Sequence, residues 1–81
     1  MAWLNKEQIL KMGFAKVGGN VFISDKASFY GCQNISIGNN VRIDDFCVLS
    51  AGKGGIIIGD YIHIAINASL IGAGKIVVSD Y

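Results

Sequence analysis

With 81 residues, the chain is long enough for a single domain. Its formal net charge of +1 gives no electrostatic case for binding a nucleic acid or an anionic membrane surface. Hydrophobic residues make up 52% of so short a chain, so we expect part of its apolar surface to meet partner chains. The N-terminus lacks a signal-peptide core, which favours the cytoplasm.

The first predicted element is a short helix over residues 5–12. Asn5 is a favourable N-cap, the residues that follow it are good helix formers, and Gly13 suits the C-terminal stop. We interpret residues 1–16 as a cap over the region that follows. The alternative is an independent helix that binds a partner.

From residue 17 onward, bulky apolar residues recur with a period of six. All twelve positions hold Val, Ile, Leu or Phe: Val17, Ile23, Phe29, Ile35, Ile37, Ile43, Leu49, Ile58, Ile64, Leu70, Ile76 and Val78. These hexads group into a longer repeat unit, since Val17, Ile37, Ile58 and Val78 begin successive runs. A hexapeptide period is typical of a β-solenoid, in which three short strands and three corners close each coil.

A second set of residues, two positions before the first, is also predicted to face inward, because alternate side chains of a strand share a face. These are mostly small or apolar: Val21, Ala27, Gln33, Val41, Cys47, Ile62, Ala68 and Gly74. Gly18, Gly38 and Gly59 follow the first residue of each run, and we expect them to permit sharp corners. The predicted fold is an all-β parallel solenoid over residues 17–81, with three coils, the start of a fourth, and the twelve positions buried.

The two cysteines are predicted to be free thiols. Cys47 falls in an inward position between Ala27 and Ala68 of the neighbouring coils, whereas Cys32 falls at a corner after Gly31. A disulfide between them is not expected, since they lie in different parts of the coil.

Two stretches closely resemble the repeats of hexapeptide-repeat acyltransferases, the left-handed parallel β-helix superfamily: IGNNVRI at 37–43 and IGDYIHI at 58–64. Residues 1–4 and 42–52 are, in addition, similar to the start of bacterial sugar O-acetyltransferases. The resemblance to the superfamily as a whole covers residues 17–81. The resemblance implies a left-handed coil, acetyl-CoA as co-substrate, and a sugar or polysaccharide precursor as acceptor, with a role in lipopolysaccharide biosynthesis. It also implies a homotrimer or higher self-association with active sites between subunits.

Residues 78–81 occupy the first four positions of a fourth coil, where the sequence stops. We therefore expect an N-terminal fragment of a sugar O-acetyltransferase. In the resembled family the acetyl-CoA groove and most catalytic groups lie in later coils, so little turnover is expected from this chain alone. The alternative is a non-catalytic, self-associating scaffold from a truncated gene.

The candidate catalytic residue is His63, the one histidine of the chain. Acyl transfer needs a general base, and the resembled family uses a histidine. Phe22, Arg42 and His63 are predicted to form one outward rank, in which Arg42 would favour the neutral imidazole. The alternative is that His63 lies at a subunit contact. Substrate-binding and cofactor-binding residues remain unassigned.

Other polar positions point more weakly to a site. Asp44 and Asp45 could bind a sugar hydroxyl or a cation, but we expect carboxylates at corners, Asp60 included, to accept hydrogen bonds from backbone amides. Residues 72–75 lack the full phosphate-loop pattern and are interpreted as a turn. One histidine cannot supply the three ligands of a catalytic zinc site, so no metal is predicted.

Overall fold

The computed structural model describes residues 2–79, which form one short helix followed by ten short strands. The helix α1 spans Lys6–Lys11. The strands are β1 Lys16–Val17, β2 Val21–Ile23, β3 Ser28–Tyr30, β4 Ile35–Ile37, β5 Val41–Ile43, β6 Val48–Ala51, β7 Ile56–Ile58, β8 Ile62–Ile64, β9 Ser69–Gly72 and β10 Ile76–Val78. A 3-10 turn, Cys32–Asn34, separates β3 from β4.

The strands form three parallel sheets that wrap around a common core. Their orders are β1-β4-β7-β10, β2-β5-β8 and β3-β6-β9, so each strand pairs with the strand three places along the chain. Val41 pairs with Val21 on one side and with Ile62 on the other, which confirms the longer repeat unit inferred from the sequence. The chain is therefore an all-β parallel solenoid of about three turns.

The interior is a column of aliphatic side chains, but it is not uniformly closed. Seven of the twelve predicted positions are buried, whereas Val17, Phe29, Leu70, Ile76 and Val78 are only half-buried. The prediction that all twelve are buried is wrong for these five. They lie in the outer coils, where a side chain has a neighbouring coil on one side instead of two.

The six-residue period missed one core residue and misplaced two others. Ile56 is fully buried and pairs with Ile35 and Ile76, so the third coil accommodates its additional residue in the preceding corner. Gln33 and Gly74, predicted to face inward, are exposed. Gln33 belongs to the 3-10 turn and Gly74 to a bend, where the alternation of a strand does not apply.

The corner glycines are required for a reason other than the one predicted. Gly18 and Gly38 do not have positive φ; the left-handed residues of these corners are Asn20 and Asn40, with φ of 59° and 58°. A Cβ on Gly38 would lie 2.6 Å from the carbonyl oxygen of Gly59 in the next coil. Close stacking of coils therefore excludes a side chain there.

The N-terminal helix follows its predicted signals. Asn5 and Gln8 form a reciprocal capping box, and Gly13 adopts φ of +81° just after the helix. Ile9 is buried with the solenoid core, and the Leu4 amide donates to the carbonyl oxygen of Ile23 at 2.8 Å. The helix is thus attached to the first coil by both apolar and backbone contacts.

Both cysteines are free, as predicted. Cys47 is fully buried, and its thiol donates to the carbonyl oxygen of Ala65 at 3.0 Å. Burial raises the pKa of the Cys32 thiol, which lowers its thiolate fraction at neutral pH.

Candidate functional site

The predicted rank of Phe22, Arg42 and His63 is present on the outer face of β2-β5-β8. Arg42 pairs directly with Phe22 in β2 and with His63 in β8. Because strand side chains alternate, all three point away from the core, whereas the strand residues on either side of them point inward. About half of the Arg42 and His63 side-chain surfaces is exposed, at 50% and 53%.

Asp44, the residue after β5, joins these two side chains. One carboxylate oxygen, Oδ1, lies 2.8 Å from Nε of Arg42, and the other, Oδ2, lies 2.7 Å from Nε2 of His63. The Asp44 side chain is only 7% exposed. The prediction that its carboxylate would bind backbone amides is therefore wrong, because two side chains occupy its oxygens.

This arrangement also changes the role expected of Arg42. The carboxylate of Asp44, and not the guanidinium, contacts the imidazole of His63. The hydrogen bond with His63 and, less strongly, that with Arg42 lower the pKa of Asp44, while desolvation opposes them. Asp44 is therefore ionised at neutral pH, so His63 faces a negative charge.

Asp45 does not extend this cluster, although it is adjacent in sequence. It accepts a hydrogen bond from Oγ of Ser24 in the neighbouring coil. The Ser24 hydroxyl in turn accepts from the Lys26 amide at 3.0 Å, which closes the corner. The two aspartates thus serve different contacts and do not converge on a common ligand.

Asp60 occupies a corner, as predicted. Its Oδ1 accepts from the Asn39 amide at 2.7 Å, and Asn39 Oδ1 accepts from the Gly19 amide at 2.8 Å. This ladder links successive coils and accounts for an Asn and an Asp at equivalent corner positions.

Aromatic side chains cover one side of the cluster. The Trp3 ring lies 5.4 Å from the guanidinium carbon of Arg42 and meets the Phe22 ring at 5.9 Å, with an interplanar angle of 65°. Trp3 reaches this place because it forms an antiparallel bridge with Ser24. Trp3 was not predicted to lie in the site, since an isolated bridge leaves no periodic pattern in the sequence.

The remaining candidates do not form a site of their own. Residues 73–75 connect β9 to β10 through a bend, while Gly72 is the last residue of β9. This bend stacks on the preceding corner loop, where the Gly54 amide donates to the carbonyl oxygen of Ala73 at 3.1 Å. Within residues 2–79, no three His, Cys, Asp or Glu side chains are grouped to hold a metal ion. Over the same described stretch, no helix is sufficiently long and apolar to cross a membrane.

The chain thus forms a parallel solenoid of hexapeptide repeats with one outward histidine, whose ring contacts a buried carboxylate. Imidazole held in this way is suited to act as a general base on its exposed nitrogen. The observed solenoid agrees with the resemblance of its repeats to those of the hexapeptide-repeat acyltransferases, and the chain is similar to bacterial acyltransferases.

Two proteins of known activity are similar to the chain along all or nearly all of its length. The chain is 70% identical, over all 81 residues, to dTDP-4-amino-4,6-dideoxy-D-glucose acyltransferase of Escherichia coli, of which it spans 42%. It also matches a point mutant of AntD, an N-acyltransferase from Bacillus cereus, in complex with dTDP-4-amino-4,6-dideoxyglucose and coenzyme A. The TM-score is 0.83 at 49% identity, covering 95% of this chain and 39% of that protein.

A second structure of AntD, in complex with dTDP and 3-hydroxybutyryl-CoA, has a TM-score of 0.82 at 49% identity, with the same coverage of 95% and 39%. No protein-family model matches the chain. The chain therefore spans about two fifths of the length of the relatives that it matches.

Proposed function

We propose that the chain is part of an acyltransferase that moves an acyl group from an acyl-CoA to the amino group of a dTDP-4-amino-4,6-dideoxy sugar. The observation that carries this proposal is the 70% identity to a dTDP-amino-sugar acyltransferase along the whole chain. Coenzyme A or an acyl-CoA accompanies the AntD structures, which supports the donor. A scaffold without catalysis is not favoured, since these relatives are enzymes.

The relatives indicate an amino group, in place of the predicted hydroxyl, as the acceptor of the acyl group. O-acetylation was predicted from the resemblance to sugar O-acetyltransferases. The substrate of the E. coli relative carries an amine at C4, and AntD, an N-acyltransferase, has the same type of amino sugar bound. An amine is also the better nucleophile towards a thioester, so we propose N-acylation.

In this proposal, His63 is the general base. The amine nitrogen attacks the thioester carbonyl, an N–C bond forms, and the tetrahedral intermediate collapses with cleavage of the C–S bond. The proton leaving the nitrogen passes to His63, which returns it to the departing thiolate of coenzyme A. The geometry supporting this role is an imidazole half-exposed to solvent and anchored from behind by Asp44.

The finer architectural predictions belong to the same proposal. The solenoid is proposed to wind left-handed, with residues 1–16 as its cap and residues 17–81 as the repeat domain. The pairing of β10 with β7 supports a fourth coil that begins at Val78. Exposed Phe22, Phe46 and Ile66 support a homotrimer or higher self-association. We propose that the protein acts in the cytoplasm, in the synthesis of a lipopolysaccharide precursor.

The direct test is a chimera in which this chain replaces the matching segment of the E. coli acyltransferase. Release of the coenzyme A thiol is followed with acyl-CoA and dTDP-4-amino-4,6-dideoxyglucose. The control acceptor is the analogue with a hydroxyl at C4. We expect turnover with the amine and a loss of about 10²-fold or more in His63→Ala. An inactive chimera, or equal turnover of the hydroxyl analogue, would contradict the proposal.

A further inference from the structure

The contacts of Asp44 also determine which nitrogen of His63 is available for chemistry. We propose that Arg42 and Asp44 together hold His63 as the tautomer protonated at Nε2, so that Nδ1 carries the lone pair of the site. Asp44 is then a positioning residue that acts through His63. The catalytic consequence rests on the proposed function, whereas the tautomer can be measured without any turnover.

The donors and acceptors around Asp44 determine which nitrogen of His63 carries the proton. The Nε of Arg42 is only a donor, and it occupies Oδ1 of Asp44 at 2.8 Å. The ionised carboxylate is only an acceptor, so Oδ2 can bond Nε2 of His63, 2.7 Å away, only if that nitrogen carries a proton. A neutral imidazole has a single N–H, which leaves the lone pair on Nδ1.

The other ring nitrogen of His63, Nδ1, takes no part in the contact with Asp44. His63 lies on the outer face of β8 with 53% of its side chain exposed, and its contact with Asp44 uses Nε2. Within residues 2–79, Nδ1 has no hydrogen-bond partner. The basic nitrogen is therefore the one that the carboxylate does not engage.

The carboxylate of Asp44 is held against rotation. Asp44 is buried at 5% exposure and held on both oxygens. Arg42 is in turn covered by the Trp3 ring at 5.4 Å, and the segment that carries Trp3 is fixed by the Leu4 amide donating to Ile23. The N-terminal segment thus contributes to the orientation of a histidine that lies two coils further along the solenoid.

An amide at position 44 tests this arrangement, because its two ends differ. In Asp44→Asn, the amide oxygen must face the Arg42 donor, so the amide NH₂ faces Nε2 of His63. Nε2 must then accept, and the proton moves to Nδ1. We expect the substitution to exchange the tautomer and to place an N–H where the base needs a lone pair.

The measurement is a long-range ¹H–¹⁵N correlation spectrum of the imidazole, recorded on the 81-residue chain at a pH where the ring is neutral. His63 is the only histidine, so its ring signals need no assignment against others. We expect Nε2–H in the unmodified protein and Nδ1–H in Asp44→Asn. The matched control is Asp45→Asn, which alters the neighbouring carboxylate bonded to Ser24 and should leave the tautomer unchanged.

A double variant separates this effect from simple loss of structure. When Arg42→Ala is added to Asp44→Asn, the amide is free to turn its oxygen towards His63, and the Nε2–H form should return. Nδ1–H in the unmodified protein would overturn the proposal, and this spectrum requires no variant to fold. Persistence of Nε2–H in a folded Asp44→Asn chain would also overturn it.

The effect of Asp44 on catalysis is measured in the chimera with the E. coli acyltransferase. There, Asp44→Asn should lower kcat by about 10²–10⁴-fold with little change in KM, as expected for loss of a general base, while Asp45→Asn stays near the parent value. If the tautomer exchanges but turnover persists, His63 is not the base: the catalytic role of Asp44 fails while the tautomer assignment stands. An inactive parent chimera counts against the proposed function and leaves the spectrum to decide the inference.

Discussion

Replacement of Ile43 with Ala measures how much stability the solenoid gains from its central coil. Ile43 is 0% exposed and pairs with Ile23 in one neighbouring coil and Ile64 in the other. The change removes three carbon atoms, a transfer loss of about 2.4 kcal/mol at about 0.8 kcal/mol per group. The residual cavity raises the expected destabilisation to about 3–5 kcal/mol. A domain of this size has a total stability of roughly 4–12 kcal/mol.

The assay is urea unfolding followed by circular dichroism. With a slope of about 1.5 kcal/mol per molar urea, the midpoint should fall by about 2–3 M. The matched control is Ile71→Ala, because Ile71 is also a strand isoleucine but is 65% exposed, and it should change stability by about 0.5 kcal/mol or less. Ile43→Asp should abolish cooperative folding, since its charge would have no partner in the core.

The reasoning would be refuted by either of two results. One is a midpoint for Ile43→Ala no lower than that for Ile71→Ala, which would mean that the central coil is not the packed interior described. The other is cooperative unfolding of Ile43→Asp at neutral pH with a midpoint close to that of the parent.

Four further predictions follow from the same structure. Gly38→Ala should cost about 1–3 kcal/mol in urea unfolding, because its Cβ would lie 2.6 Å from the Gly59 carbonyl oxygen, whereas Gly74→Ala meets nothing within 4 Å and is the control; equal losses would contradict this. Because the pKa of Asp44 is lowered in the folded protein, the ionised carboxylate stabilises the fold at neutral pH. This stabilisation begins to fall below the pKa of the unfolded state, about 3.9, and is lost as the pH drops through the pKa of the folded state. The urea midpoint should therefore fall less steeply with acid in Asp44→Asn than in the parent, and parallel pH curves would exclude the effect. Light scattering at micromolar concentration should report a trimer or larger assembly, and a monomer would count against it. Because the 81-residue chain spans 42% of its E. coli relative, we expect it to show little turnover alone with acetyl-CoA and the amino sugar. An ordinary enzymatic rate would contradict this.

Much of the fold could be predicted because a solenoid is a local, repeated structure. The hexapeptide period and the longer unit built from it suffice to place strands and to pair them, which is why Val41 lies between Val21 and Ile62 as expected. The corners were harder to predict, since their residues follow no alternation. Gln33 was therefore placed inside, and Ile56 was missed where one additional residue shifts the period.

The site was predictable only as a rank of residues. Phe22, Arg42 and His63 were aligned correctly because parallel register places equivalent positions one above another. The direction of Asp44 was not predictable, because its carboxylate could turn to backbone amides, to solvent or to either neighbouring side chain. Only the packed structure shows that it bonds Arg42 and His63 together.

The sequence by itself determined that this chain is a parallel solenoid of hexapeptide repeats, because periodic burial of aliphatic side chains dominates the free energy of such a fold. The tertiary structure alone decided the environment of His63. Its partner Asp44 belongs to the preceding coil and Trp3 to the N-terminal segment, and their contacts depend on side-chain rotation and on one isolated bridge. These contacts involve few atoms and no repetition, so they leave no periodic trace in the sequence.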